Sequence, residues 1–461
     1  MNLSGRLSAN PTVQGLLAVL RLMPDASPSG TALLAAGVLM SALLPLALTV
    51  TTGLVVGAVT ASAGHGLASL EGQVAVALLA GTAGFMVATQ VLGPTVGTLA
   101  TVLGREVDRL VQERIIAAVN RPVGIAHLED PVIVDLIAHA QQAGTGGRRP
   151  SVAVAALATL LPSWLQALGS ALLLLHFHWW LALAWVAVWP ILLYALHREF
   201  LRVGQTRYAA TAALRRANYF RDLALGPVLA KELRLWGLLG WSMGRFDTAW
   251  RTAMIPVWDL RNPARPVPWL AAAAVGGLTL SSFALLAWAA THGQIAIAAL
   301  AVYIQAIGAA SNVRAAEDAN ANLALAAAAA PALARLAGQL AGADATATAA
   351  GSIQLAGAPC TGLRFENVSF RYPRREEAVL NGLDLAIPTG RSLAIVGANG
   401  AGKTTIVKLI CRLYDPSAGR LTVDGVDLRT LDVATWRRGV AAIFQDFAQY
   451  QLSARENVGL N

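Results

Sequence analysis

Long apolar blocks almost empty of charge fill most of the chain, and near the C-terminus they give way to alternating positions. Residues 26–104 hold one formal charge, Glu71, while residues 150–197 and 266–313 hold none. A bilayer core about 30 Å thick takes about 20 helical residues to cross. Each block therefore has room for two spans and a short turn. The turns fall at Ala61–Gly66, at His176-Phe177-His178-Trp179-Trp180 and at Thr291-His292-Gly293-Gln294. This pattern predicts six transmembrane helices, at roughly 30–60, 74–103, 151–175, 179–197, 267–290 and 294–313.

Charge then orients the spans. The chain has 461 residues, 56% hydrophobic and only 13% charged, against about 25% charged in ordinary globular domains. That composition excludes a disordered chain and a nucleic-acid binder with a charged surface. Of the basic residues in the first 335 positions, two precede the first span, six lie in 105–149, twelve in 198–265 and two (Arg314, Arg335) after the last span. None lies in the three turns. Lysine and arginine accumulate on the cytoplasmic side, so both termini are expected in the cytoplasm of a multi-pass protein of the inner membrane. The net charge of +9 is membrane topology. Residues 11–23 are too short to span and read as an interfacial helix. Cys360 and Cys411 make neither a disulfide scaffold nor a metal-ligand spacing.

The cytoplasmic segments, about 105–149 and 198–265, are charged and helix-forming, long enough to project roughly 30–45 Å from the bilayer. In the first, Asp130 is a good N-cap and Pro131 suits the first helical position, so a short helix is expected over Val132–Ala140. In the second, Ala230–Trp236 forms a helix body with Gly237 as its stop. Taken alone, either segment is a contact surface or a solvated charged helix.

Residues 336–359 turn to Ala, Gly and Thr, a linker composition. Beyond them Leu363–Phe370 and Leu383–Ile387 alternate as strands, and Ser392–Val396 reads as a buried strand. That run leads into Gly397-Ala398-Asn399-Gly400-Ala401-Gly402-Lys403-Thr404-Thr405, followed by a helix over Ile406–Leu413. Strand, glycine loop and helix are the context of a phosphate-binding loop. Its glycines let consecutive N–H groups converge on an anion at the positive end of a helix. Lys403 is placed for the β- and γ-phosphates, and the Thr404 hydroxyl for Mg²⁺. Tyr372 is placed either to stack on an adenine or to pack in the core. Gln445 follows a strand of Val and Ile, its amide within reach of a metal or an attacking water.

Together these parts resemble the half-transporters of the ABC exporter superfamily. Phe370-Arg371-Tyr372-Pro373 is similar to the A-loop, which puts Tyr372 on the adenine. Gly397–Thr404 is similar to Walker A, with Asn399 where many members carry Ser; Gly397, Asn399, Gly400, Ala401, Gly402, Lys403, Thr404 and Thr405 are then the nucleotide-binding positions. Leu413–Arg420 and Val423-Asp424-Gly425 are a familiar passage of the same domain. Gln445 falls on the Q-loop, implying a catalytic and Mg²⁺-sensing role beside Thr404. The segments at Asp130-Pro131 and Ala230–Gly237 look like those bearing coupling helices.

The resemblance implies a multi-domain chain. Residues 1–335 form an all-α six-helix transmembrane domain and 336–359 a linker. Residues 360–461 form the N-terminal part of an α/β P-loop nucleotide-binding domain. It implies ATP and Mg²⁺ as cofactors and a homodimer or heterodimer with another half-transporter. It also implies an apolar or amphipathic small-molecule, lipid or peptide substrate, and no nucleic acid. The sequence stops sixteen residues past Gln445, without the family's signature, Walker B carboxylates or switch histidine. A truncated form, inactive alone, is therefore expected. The alternatives are an exporter ATPase, a non-hydrolysing nucleotide-binding membrane protein, or a gene fragment.

Overall fold

The structure, a computed structural model, describes residues 11–63, 69–134, 136–137, 149–191, 211–227, 230–260, 266–311, 319, 323, 338–340, 353, 361–373, 375–445 and 450–459. Nearly all of the expected linker, and parts of both cytoplasmic segments, lie outside these residues.

Among the described residues, ten unbroken helices of six residues or more precede the first strand. They are α1 (Pro11–Ala26), α2 (Pro28–Ser62), α3 (Leu70–Asn120), α4 (Pro150–Leu174), α5 (Trp179–Ile191), α6 (Thr211–Leu225), α7 (Ala230–Leu235), α8 (Leu239–Leu260), α9 (Pro266–Thr291) and α10 (Ile297–Ser311). Four of them, α2, α3, α4 and α9, are long and apolar enough to cross a membrane, while α5 and α10 are apolar but shorter in their described parts. Charge-free composition located all six. Helix α3 does not end where charge resumes: it runs unbroken to Asn120. Backbone bonding and good helix formers carry it past the apolar stretch. Ser69 opens it by accepting from the Gly72 N–H at 3.0 Å.

The chain divides into two compact units. The larger part of the apolar helices, residues 28–102 and 154–323, forms one of them. Small residues let its helices approach closely. A side chain at Gly53 would strike Val302 of α10, and one at Gly37 would meet Val96 at 2.8 Å. Trp185 of α5 is a core residue at 1% exposure. Its indole N–H donates to Ser282 Oγ of α9 at 3.3 Å. Only 6% of the apolar window of α3 is buried within the chain, which leaves its surface to lipid or to further protein. Helices α6 and α8 pack side by side, joined where Ser242 donates to the Phe220 carbonyl at 3.2 Å. Between them α7 ends as its glycine requires. Gly237 has φ +62°, and Leu238 N–H returns to the Leu233 carbonyl at 2.9 Å.

The other unit comprises residues 1–27, 103–153 and 324–461. Its sheet has the order β2-β1-β3-β4, all antiparallel: β1 (Gly362–Phe370), β2 (Leu380–Pro388), β3 (Ala418–Val423) and β4 (Val426–Asp427). Asp424 (φ +50°) and Gly425 (φ +85°) turn β3 into β4, an Asp-Gly hairpin. Asp424 Oδ1 also accepts from Thr361 and Gly362 N–H at 2.7 and 3.0 Å, tying the turn to the start of β1. Phe365, Val368, Phe370, Leu421 and Val423 form a core with Ile406 and Leu409 of α11 (Lys403–Ile410) and Trp436 of α12 (Val433–Arg438). A last short helix, α13 (Ala454–Val458), carries a Ser453/Glu456 capping box.

Two expected strands do not form. Ser392–Val396 has no strand pairing, and Val396 is 93% exposed. The Val-Ile run before Gln445 is likewise unpaired, with Ile443 93% exposed. Their composition suits a strand buried on both faces, but a strand needs a neighbour to complete its ladder. Among the described residues none lies beside either run. The helix expected at Ile406–Leu413 begins earlier, at Lys403, and ends at Ile410, before Arg412 at φ +50°.

Candidate nucleotide site

The glycine loop closes directly onto α11. Gly400 and Gly402 both take φ +85°, a left-handed conformation that side chains resist. A side chain on Gly400 would meet nothing within 4 Å, whereas one on Gly402 would meet Leu380 at 2.8 Å. The first glycine faces open space, and the second lets the helix start against β2. The Ile406 N–H bonds to the Gly402 carbonyl at 3.1 Å, which leaves the earlier amides at the loop mouth. Lys403 Nζ turns back into the loop and donates to the carbonyls of Gly397 and Ala398, both at 2.7 Å. Asn399, Ala401 and Thr404 are exposed around it. A flexible cation held by two backbone carbonyls, beside exposed amides and a hydroxyl, is a donor set that fits a polyphosphate with its metal.

Thr405 faces the other way. It is 4% exposed, and its Oγ1 lies 3.1 Å from the Tyr372 hydroxyl. Tyr372 packs edge-on against Phe370 (4.9 Å between centroids) and Tyr414 (5.4 Å). It also borders an open cleft of about 660 Å³ with Arg371, Arg375 and Ser417. Packing and access, alternatives in the sequence, coexist at this residue. Gln445 is exposed in a turn, and among the described residues no hydrogen bond joins it to the loop. The structure thus brings Tyr372, Thr405 and the glycine loop together, with no hydrogen bond from Gln445 to the loop among the described residues.

Three residues at this site escaped the sequence reading. Lys408 lies over the Tyr372 ring at 5.2 Å and the Tyr414 ring at 5.6 Å. Its Nζ is also 4.0 Å from Glu129 Oε1, in a 3₁₀ turn at Ala126–Glu129. Tyr414 is buried, with the Glu129 carboxylate near its hydroxyl. Burial first, then the nearby Glu129 carboxylate, pushes its pKa above the usual tyrosine value. One signal was available: Thr405 and Lys408 are i and i+3 on one helix, and Lys408 is one of only three lysines in the chain.

The segment carrying Glu129 docks on the same body. Ile125 N–H donates to the Leu413 carbonyl at 3.0 Å, and Ile125 and Ala126 pack against the sheet core. Asp130 Oδ1 accepts from Val132 N–H at 2.9 Å, capping the helical residues 131–134.

Residues 380–460 match the ABC transporter family. This part of the chain is an ABC transporter domain. The apolar helices before it fit the membrane half of an ABC exporter. The subtilin transport ATP-binding protein SpaT of Bacillus subtilis is similar, at 38% identity over 101 residues. That match covers 22% of this chain and 16% of the relative. The probable microcin-H47 secretion/processing protein MchF of Escherichia coli is 40% identical over 96 residues, covering 21% and 14%. P-glycoprotein 14 of Caenorhabditis elegans is 50% identical over 84 residues, covering 18% and 6%. The chain therefore aligns with less than a fifth of the length of each of these relatives. Within residues 380–460 lie the glycine loop, α11 and Gln445.

Proposed function

We propose that this chain is the ATP-binding and permease subunit of an ABC exporter, coupling ATP binding and hydrolysis to outward movement of an apolar or amphipathic substrate. The observation that carries this reading is the glycine loop with Lys403 Nζ drawn into it, in one polypeptide with a set of long apolar helices. Tyr372 would take the adenine, the loop amides and Lys403 the phosphates, and Thr404 with Gln445 the Mg²⁺. The metal, when bound, neutralises charge between the β- and γ-phosphates. The chain's own part is to hold the triphosphate at the helix terminus and to offer the base a ring beside an open cleft. The distribution of basic residues supports a multi-pass protein of the inner membrane with both termini in the cytoplasm. The working unit would be a dimer, homomeric or with another half-transporter.

The test is ATP binding and ATPase activity of the purified protein in lipid, with Lys403→Ala alongside. Binding weakened at least about tenfold in the variant, equivalent to about 1.4 kcal/mol, is the expected result. Equal binding by both proteins overturns the reading. A second reading, a membrane protein that binds ATP without turnover, is favoured by one observation. The residues entering the loop, Ser392–Val396, lie exposed and outside the sheet, so the loop is anchored on its helix side alone. Binding that depends on Lys403 without phosphate release would select it.

A further inference from the structure

The geometry points to Glu129 as a positioning residue for base recognition, acting through Lys408 on Tyr372; this rests on the nucleotide-binding reading of the site. Tyr372 is held by α11 at two points. Its hydroxyl meets Thr405 Oγ1 at 3.1 Å, and its ring lies under Lys408 Nζ at 5.2 Å. A lysine side chain has many rotamers, and a ring face alone is a weak restraint on one. The second restraint is Glu129, whose carboxylate oxygen is 4.0 Å from the ammonium. Glu129 belongs to a segment far away in sequence, docked by the Ile125–Leu413 bond. Lys408 is 24% exposed and Glu129 42%, so solvent partly screens this pair and its contribution is modest.

Without the Glu129 charge the ammonium keeps only the two ring faces to hold it, which are weak restraints on a long side chain. Tyr372 then keeps one anchor on α11 instead of two, while the glycine loop at the other end of α11 is untouched. The consequence is selective: recognition of the base weakens and recognition of the phosphates does not. By linkage, a bound base in turn favours the docked position of residues 125–129.

The experiment measures equilibrium binding of two probes, ATP and inorganic tripolyphosphate, to the full chain in lipid nanodiscs. Wild type, Glu129→Gln and Lys408→Met are compared. The expected result is ATP affinity lowered about two- to fivefold in both variants, with tripolyphosphate affinity unchanged. Equal losses for both probes would mean a merely structural role, and no loss for either would mean no role; each overturns the proposal. If Glu129→Gln does not give folded protein by circular dichroism, Lys408→Met alone decides on the same two outcomes. Wild-type protein that binds neither probe would instead remove the nucleotide-binding reading, and the positioning role with it.

Discussion

Arg437 donates to the backbone carbonyl of Val123 at 2.8 Å, across 314 positions of sequence. The same guanidinium donates to the carbonyls of Cys411 (3.1 Å) and Arg412 (2.7 Å), just past the end of α11. Burial, then the neighbouring Arg412 charge, lowers its pKa from the usual arginine value. Three carbonyls aimed at one fork suit arginine's planar donors and no other side chain. The segment before Glu129 and the end of α11 are thereby joined by a single residue.

Arg437→Ala is expected to cost about 2–3 kcal/mol, because charge-assisted bonds are lost and carbonyls are left half-buried. Lysine at this position can satisfy fewer of the three and should recover only part. Thermal melts of the purified protein, with limited proteolysis around residues 121–130, check this. Unchanged melting together with unchanged cleavage would refute it.

Gly419 tests the backbone of the nucleotide-binding region. Its φ is +74°, and an added side chain would collide with the carbonyl of Asn367 on β1. Gly419→Ala should destabilise this region by more than about 2 kcal/mol, through strain and forced separation of β1 from β3. The readout is loss of Lys403-dependent ATP binding at a temperature where the wild type retains it.

Asp427 supplies a pH dependence. Burial alone would raise its pKa, but hydrogen bonds and charge from Arg429 outweigh burial and hold it below the usual carboxylate range. The closest contact, Arg429 Nη2 to Asp427 Oδ2, is 2.7 Å. A carboxyl depressed on folding stabilises above its unfolded pKa of about 4. That contribution is lost as pH falls through the lower folded value. Asp427→Asn should therefore lower the melting temperature at pH 7 and reduce the difference from wild type below about pH 4. A gap that stays constant over that window would contradict the assignment.

Among the apolar helices, Ser282→Ala should leave the Trp185 indole N–H without its acceptor in the core. A cost of about 0.6–1.7 kcal/mol is expected from comparable interhelical bonds. Ser282→Thr, which keeps a hydroxyl, should cost less. Detergent-unfolding midpoints measure both, and equal midpoints for the alanine variant and wild type would exclude the bond.

Much of this molecule was legible because two of its signals are local. Absence of charge over 20-residue windows marks apolar helices whatever they pack against, so α2, α4 and α9 fall within a few residues of expectation. The glycine loop is equally local, since Gly400 and Gly402 need their left-handed φ regardless of the rest of the fold. What sequence could not supply was partnership. Ser392–Val396 has the composition of an inner strand, but a strand exists only beside another. Trp185 could not be told from a lipid-facing tryptophan until Ser282 was seen opposite its indole. Lys408 looked like any solvated helix lysine, because its carboxylate, Glu129, comes from a distant segment. The Asp424-Gly425 hairpin was readable by its turn chemistry; its tie to Thr361 was not.

The glycine loop has unlike shores. On one side α11 is fixed by core packing and by the Trp436 indole, which donates to the Ile410 carbonyl at 2.8 Å. On the other, residues 391–399 run exposed, with no ladder bond among the described residues. On the nucleotide-binding reading, a ligand would take its firm contacts from the α11 side, and any ordering of residues 391–399 on binding would subtract from its affinity. Anything that gives Ser392–Val396 a strand to lie against would tighten nucleotide binding without touching the nucleotide. Amide hydrogen exchange would show it as new protection at 392–399, with little change along 403–410.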